Sequence, residues 1–191
     1  DPASRFNPGD VHGASEVIEP AAFDWQDTAW RGRPWEEAVV YELHVGTFSP
    51  AGSFAGVMQR LDYLAELGVT AIELMPVADF PGACNWGYDG VLLFAPDSRY
   101  GRPEDLKTLV QAAHEKGMMV LLDVVYNHTA HDSVLVQAHP EFFHQDAQGN
   151  PVTTVPEWSD VIDLKHPNSE LTAYLIETLI GWIEFGVDGF R

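Results

Sequence analysis

The residues able to do chemistry gather where apolar runs end. Asp123-Val124-Val125-Tyr126-Asn127-His128 closes one such run, Gly189-Phe190-Arg191 closes another, and Trp86-Gly87-Tyr88-Asp89 follows a third. Tyr41 and His44 lie on an earlier run. A carboxylate, a guanidinium, imidazoles and an amide beside flat aromatic rings are the makings of a sugar site. The apolar ring faces of a saccharide stack on aromatic side chains, and its hydroxyls take polar partners. Two plainer readings stand beside this one: Asp123 and Arg191 as a satisfied buried ion pair, and Trp86 and Tyr88 as loop packing.

Other chemistries find less in the chain. His128, His131 and Asp132 form H-x-x-H-D, with His139 and His144 beyond, but there is no H-E-x-x-H and no cysteine pair to hold zinc. A histidine cluster of this kind reads more simply as a solvated loop. Neither G-x-G-x-x-G nor a phosphate-binding P-loop occurs, so a nucleotide cofactor has no support. The absence of G-x-S-x-G removes the usual serine-hydrolase reading.

The elements that must position these residues alternate in a regular way. Val39 to Val45 reads as a strand. Ser53 then caps a helix whose Phe54, Val57, Met58, Leu61 and Leu64 share one face, and Gly68 ends it. Ala71-Ile72-Glu73-Leu74-Met75 is a short strand of the buried type. Pro103 opens the next helix, with Leu106, Leu109, Val110 and Ala113 as its buried stripe; Gly117 ends it and Val120 to Val124 is a strand. Leu171, Leu175, Leu179, Trp182 and Ile183 mark a third helix, stopped by Gly186 before a strand that begins at Val187. Each helix-to-strand join places a Gly where a left-handed C-terminal cap is expected. Strand–helix alternation means a parallel sheet, and four strands with three helices fit either half of a (β/α)8 barrel or a doubly wound sheet. The long connections 76–102 and 129–166 both follow strands, at the carboxyl face where such folds place their sites. Residues 1–37 show no period and read as a lead-in.

Bulk properties narrow the partners. The chain has 191 residues, 10 basic against 29 acidic side chains and a formal net charge of −19. That charge repels phosphate backbones, so nucleic acid is not an expected partner. With one cysteine, Cys84, no intrachain disulfide can form. No apolar run approaches the roughly 18 residues of a membrane span, and the first residues lack a basic-then-apolar leader. A cytoplasmic location is therefore expected, with a secretion signal on a lost amino terminus as the alternative.

The residues named above also resemble a known family. Asp123 to His128 is similar to the D-V-V-x-N-H region that closes barrel strand three in the α-amylase family of glycoside hydrolases. Gly189-Phe190-Arg191 resembles the start of its G-F-R-x-D region on strand four, and Trp86 to Asp89 resembles the loop after strand two in branching and trehalose-releasing members. Within the family, Asp1 to Phe6, Val11-His12-Gly13 and Tyr41 to Phe48 look like trehalose-releasing members. His131-Asp132-Ser133, His139 to Phe143 and Trp158-Ser159-Asp160 look more like bacterial α-amylases, so the chain reads as a mosaic.

This resemblance implies the N-terminal half of a (β/α)8 TIM barrel in residues 38–191, strands one to four, truncated before strand four is complete. Residues 1–37 would be the tail of a preceding β-sandwich. It implies a retaining glycosidase acting on α-1,4-glucans or maltooligosyl trehalose; the alternatives are an α-amylase or glucan-branching enzyme, or a non-catalytic barrel relative used for binding. Tyr88 would stack on the sugar at the cleavage point and His128 would bond that sugar's hydroxymethyl group. Arg191 would orient the nucleophilic aspartate and Asp123 would hold Arg191. Trp86, Asp89 and His44 would line the substrate site, and Asn127 matches a calcium ligand of many members. No other cofactor is implied. The nucleophile and the general acid would lie beyond Arg191, so residues 1–191 are expected to be inactive alone and, with two strand edges open, to self-associate.

Overall fold

The computed structural model describes residues 1–191, the side chain of Pro20 excepted. Strands β1 (Val40–Leu43), β2 (Ala71–Leu74), β5 (Met119–Leu122) and β8 (Gly189–Phe190) form one parallel sheet in the order β1-β2-β5-β8. Each strand lies beside the one before it in this sheet, with no reversal of order. A doubly wound sheet reverses, so the alternative left open by the pattern falls away, and these are the first four strands of a (β/α)8 barrel. Between them run β3 (Ala78–Asp79), β4 (Leu92–Pro96), β6 (His128–Ala130) and β7 (Val161–Asp163). The helices are α1 (Val45–Phe48), α2 (Phe54–Met58), α3 (Leu61–Leu67), α4 (Pro103–Glu115), α5 (Val134–Ala138) and α6 (Ser169–Glu184).

The period of two along the strands divides the molecule. Leu43, Ile72, Leu74, Val120 and Leu122 face the helices and meet Phe54, Leu61, Leu64, Leu106, Leu109 and Val110 in the main core. The opposite face is the barrel interior. Toward its amino end Ala71, Met119 and Leu121 pack with Trp30 and Ala38 of the lead-in. From the Leu121 layer upward the same face carries Glu42, Glu73 and Asp123.

Several boundaries differ from the sequence reading. The single helix expected from Phe54 onward is two: Ser53 Oγ accepts from the Gly56 amide at 3.2 Å as the cap, but the turn breaks at Gln59-Arg60 before α3 begins. The first strand ends at Leu43, and the expected strand residue Val45 instead opens the short α1. Strand three ends at Leu122, so His128 does not close it but starts β6. The two long connections are not structureless: 76–102 holds the β3–β4 antiparallel pair, and 129–166 holds the rest of the β6–β7 pair and α5. Their own apolar residues form a satellite core with α6, in which Leu93, Phe143 and Ile162 pack on Leu171 and Leu175. Ile183, expected in the buried stripe of α6, is outside it and lies with Ile176 and Ile180 on the exposed face.

Residues 1–37 lie along the wall and under the floor of the sheet. Phe6 and Val11 are buried, Arg5 stacks on Phe94 at 4.2 Å, and the Tyr174 hydroxyl donates to the Pro2 carbonyl at 2.9 Å. Under the floor sits a charged clasp. The His114 ring, on α4, meets Asp27 at 2.5 Å through Nδ1 and Asp188 at 3.0 Å through Nε2. Trp30 stacks on it at 4.5 Å and donates its indole N–H to Asp188 at 2.7 Å. Both ring nitrogens face carboxylates, and a neutral imidazole can donate from only one, so this geometry suits the doubly protonated ring. Burial pulls the His114 pKa down, but the hydrogen bonds to Asp188 and Asp27 outweigh it and the net shift is upward. For Asp188 burial pushes upward, and the bonds from His114, Trp30 and the Val120 amide carry the net shift downward.

Candidate active site

The carboxyl end of the sheet brings together three of the expected residues. Asp123 Oδ2 accepts from the Tyr88 hydroxyl at 3.0 Å and from Arg191 Nη1 at 2.9 Å. Asp123 is buried, whereas Tyr88 and Arg191 stay open to solvent. Sequence alone left open whether Asp123 and Arg191 form a satisfied core pair. They do pair, and the Tyr88 hydroxyl shares the same carboxylate oxygen, so the pair stands beside an aromatic ring at the carboxyl end of the sheet.

Gly87 makes this placement of Tyr88 feasible. Its φ is +98°, and a Cβ there would stand 2.1 Å from the Pro76 carbonyl oxygen, so no other residue fits without moving the backbone. The turn is held by Asn85, whose Oδ1 accepts from the Gly87 amide at 2.6 Å and whose Nδ2 donates to Asp89 at 2.7 Å. Asp89 thus braces the loop.

His128 joins the group indirectly. Its Nε2–H donates to the Tyr88 carbonyl at 2.8 Å and its Nδ1 accepts from Asn127 Nδ2 at 2.9 Å, a consistent neutral tautomer. The ring therefore pins the Tyr88 backbone, and its edge faces Trp158 of the long connection at 6.1 Å. Asn127 donates its side-chain N–H to His128.

His44 and Trp86 fall on the other side of the loop. His44 Nε2 lies 2.9 Å from the Asn85 carbonyl and 3.0 Å from the Tyr100 hydroxyl, its Nδ1 lies 3.1 Å from Thr47 Oγ1, and its ring meets Trp86 edge-on at 5.0 Å. With Phe80, Cys84 and Arg99 these residues line a cleft of about 320 Å³. Sequence reading thus named two groups as one: Tyr88, Asp123, Arg191 and His128 meet at the sheet end, while His44 and Trp86 flank a neighbouring cleft. It missed Asn85, Tyr100, Trp158, Glu42 and Glu73. The last two left a readable trace, each being a carboxylate inside a strand whose other residues are apolar or aromatic.

A (β/α)8 wall with a Tyr–Asp–Arg cluster at the carboxyl ends of its strands has its polar groups where barrel enzymes place their active sites. The model of the alpha amylase catalytic domain matches residues 3–149, and the chain belongs to that family. Over its whole length it is 45% identical to a malto-oligosyltrehalose trehalohydrolase of Saccharolobus solfataricus, of which it covers 33%. A Salmonella typhimurium structure that carries the alpha amylase name superposes with a TM-score of 0.89 at 44% identity, over 100% of this chain and 32% of that one. A pullulanase of Anoxybacillus sp. LM18-11, solved with maltotetraose, superposes with a TM-score of 0.85 at 28% identity, over 100% of this chain and 33% of that one. The chain spans about a third of the length of the curated relatives it matches. Among the described residues no helix is long and apolar enough to cross a membrane.

Proposed function

We propose that this chain is the substrate-holding part of a retaining glycoside hydrolase acting on α-1,4-linked glucans, with maltooligosyl trehalose as the favoured substrate and trehalose as the product released. The observation that carries the reading is the shared oxygen: Tyr88 and Arg191 both bond Asp123 Oδ2. Asp123 fixes the guanidinium and the phenol against one another, so an aromatic face and a positive charge are presented together without further ordering. Tyr88 stacks on the sugar whose bond is cleaved. Arg191 holds its positive charge where a carboxylate nucleophile is kept ionised and aimed. His128 keeps Tyr88 in place through its carbonyl, and meets the sugar itself only by exchanging that bond. The 45% identity to a trehalohydrolase over the whole chain favours maltooligosyl trehalose over other α-glucans.

Retaining hydrolysis needs two carboxylates about 5 Å apart, one attacking and one donating a proton. In this chain the carboxylates at the site are already committed to Arg191. The proposed roles of residues 1–191 are therefore binding and orientation. The test is to incubate the purified chain with soluble starch and with maltooligosyl trehalose, and to measure maltooligosaccharide affinity by calorimetry. Binding that Tyr88→Ala weakens, without release of reducing sugar or trehalose, is the expected result. Sugar release above that of an Arg191→Ala control overturns the assignment of roles, and no binding at all overturns the site.

A further inference from the structure

Asp123 is not the only carboxylate on Arg191. The same Nη1 lies 3.3 Å from Glu42 Oε1 on β1 and 3.5 Å from Glu73 Oε1 on β2. The three carboxylates also have oxygens within 4.8 Å of one another. β1 and β8 stand three strand spacings apart in the sheet order, so the Arg191 side chain reaches back across β5 and β2 to meet Glu42.

The register explains why these two glutamates meet that one arginine. Glu42 pairs with Glu73, Glu73 with Leu121, and Leu121 with Gly189, so the four strands contribute one layer to the interior face. Arg191 and Asp123 lie one layer above, two residues further along β8 and β5. Gly189 leaves its place in the lower layer without a side chain. A Cβ there would already stand 3.1 Å from Leu121 Cδ2. The guanidinium can then lean inward and down over the glutamates.

We propose that Glu73, assisted by Glu42, is a positioning residue for Arg191: the two carboxylates draw the guanidinium toward the barrel axis from below while Asp123 holds it from the side. The inference rests on the reading of Arg191 as the group that orients a nucleophile, and adds the residues that set its aim. Glu73 is the stronger of the pair, because its side chain is 13% exposed against 50% for Glu42. A less hydrated charge exerts the larger pull. The positive charge among these acids is already supplied by Arg191. The groups facing Glu73 are Arg191, Glu42 and Asp123; burial raises its pKa most, Arg191 lowers it, and the two acids raise it, for a net upward shift. Its hold on Arg191 therefore lapses at a higher pH than an ordinary glutamate's would.

The test uses Glu73→Gln, Glu73→Asp and Glu42→Gln, with guanidinium nitrogen spectra of Arg191 recorded across pH and melting temperature followed in parallel. In the unaltered chain the Arg191 signals are expected to be sharp at neutral pH and to broaden as Glu73 protonates. Glu73→Gln should broaden them at every pH and abolish that step, Glu73→Asp should restore part of it, and Glu42→Gln should do less. In the full-length protein Glu73→Gln should lower kcat about tenfold with KM little changed, the pattern of a lost transition-state contact. An Arg191 spectrum that Glu73→Gln leaves as it was, in line shape and in pH response, overturns the inference. A full-length protein that turns over no glucan overturns the functional reading instead, and the spectrum then decides the positioning alone.

Discussion

The two ends of this sheet hold similar charged groups to opposite effect. At the amino end Asp27 and Asp188 flank one imidazolium, and the clasp is nearly closed to water. At the carboxyl end Glu42, Glu73 and Asp123 crowd one guanidinium, and Asp123 also takes the Tyr88 hydroxyl. The first cluster ties α4 and the residue before β8 to the lead-in, so its energy goes into the fold. The second gathers its groups on one face of one sheet beside an aromatic ring, at the end where barrel folds place their sites. What each cluster joins separates the structural one from the candidate working one here more clearly than residue type does.

Substitutions at each end sharpen or break that contrast. The largest expected effect is Arg191→Ala in the full-length protein: kcat should fall by about 10²–10³, the scale of losing one preorganised electrostatic group, with little change in melting temperature. Tyr88→Ala should lower kcat/KM by about 10–100-fold, again without a matching loss of fold. If either variant merely melts early while its folded fraction stays fully active, the carboxyl end is structural as well. His114→Ala should do the reverse. It strands two largely buried carboxylates and should cost about 3 kcal/mol by denaturant titration, with activity per folded molecule unchanged.

The clasp also predicts a pH profile. The folded pKa of His114 is raised above its ordinary 6.5, so its contribution is complete below about pH 6.5 and is lost as pH rises through the folded value. Asp188 is lowered, so its contribution is present above its ordinary 3.8 and is lost as pH falls through the folded value. Stability should plateau between these limits and decline as pH rises through the folded value of His114, and His114→Ala should remove the upper decline. An unchanged decline in that variant would separate the clasp from it. The smallest effect expected is association. In residues 1–191 taken alone β1 and β8 are the outer strands of the sheet, and Ile176, Ile180 and Ile183 lie exposed on α6. The net charge of −19 opposes contact between copies. Light scattering should show mass growing with added salt as that repulsion is screened. A monodisperse monomer at high salt would argue against it.

The fold was largely legible because its signals are local. Gly68, Gly117 and Gly186 take positive φ at the helix ends where the sequence placed them, and the α4 stripe from Leu106 to Ala113 is fully buried. Of the candidate site, Tyr88, Asp123 and Arg191 were readable as residue types next to strand ends. What their neighbours are was not readable. Glu42 and Glu73 matter because β1, β2 and β8 belong to one sheet and face the same side, a fact of strand pairing that no window of residues contains. His128 was named for its side chain, yet it is engaged by a backbone carbonyl, which sequence does not display. The clasp was missed for the plainest reason: Asp27 and Asp188 lie 87 and 74 residues from His114.

The strand order has a consequence for how such a chain is made. Each new strand of the barrel wall docks on the one synthesised just before it, so the wall can be laid down in step with translation. The contacts made at each stage are between segments already outside the ribosome, and little waits on distant sequence. The floor behaves differently. Asp27 emerges early and His114 much later, but the ring gains its second carboxylate only when Asp188 arrives. The lead-in is thus half-tied while the 74 residues between His114 and Asp188 are made, and the segment leading into β8 is the one that draws the knot tight.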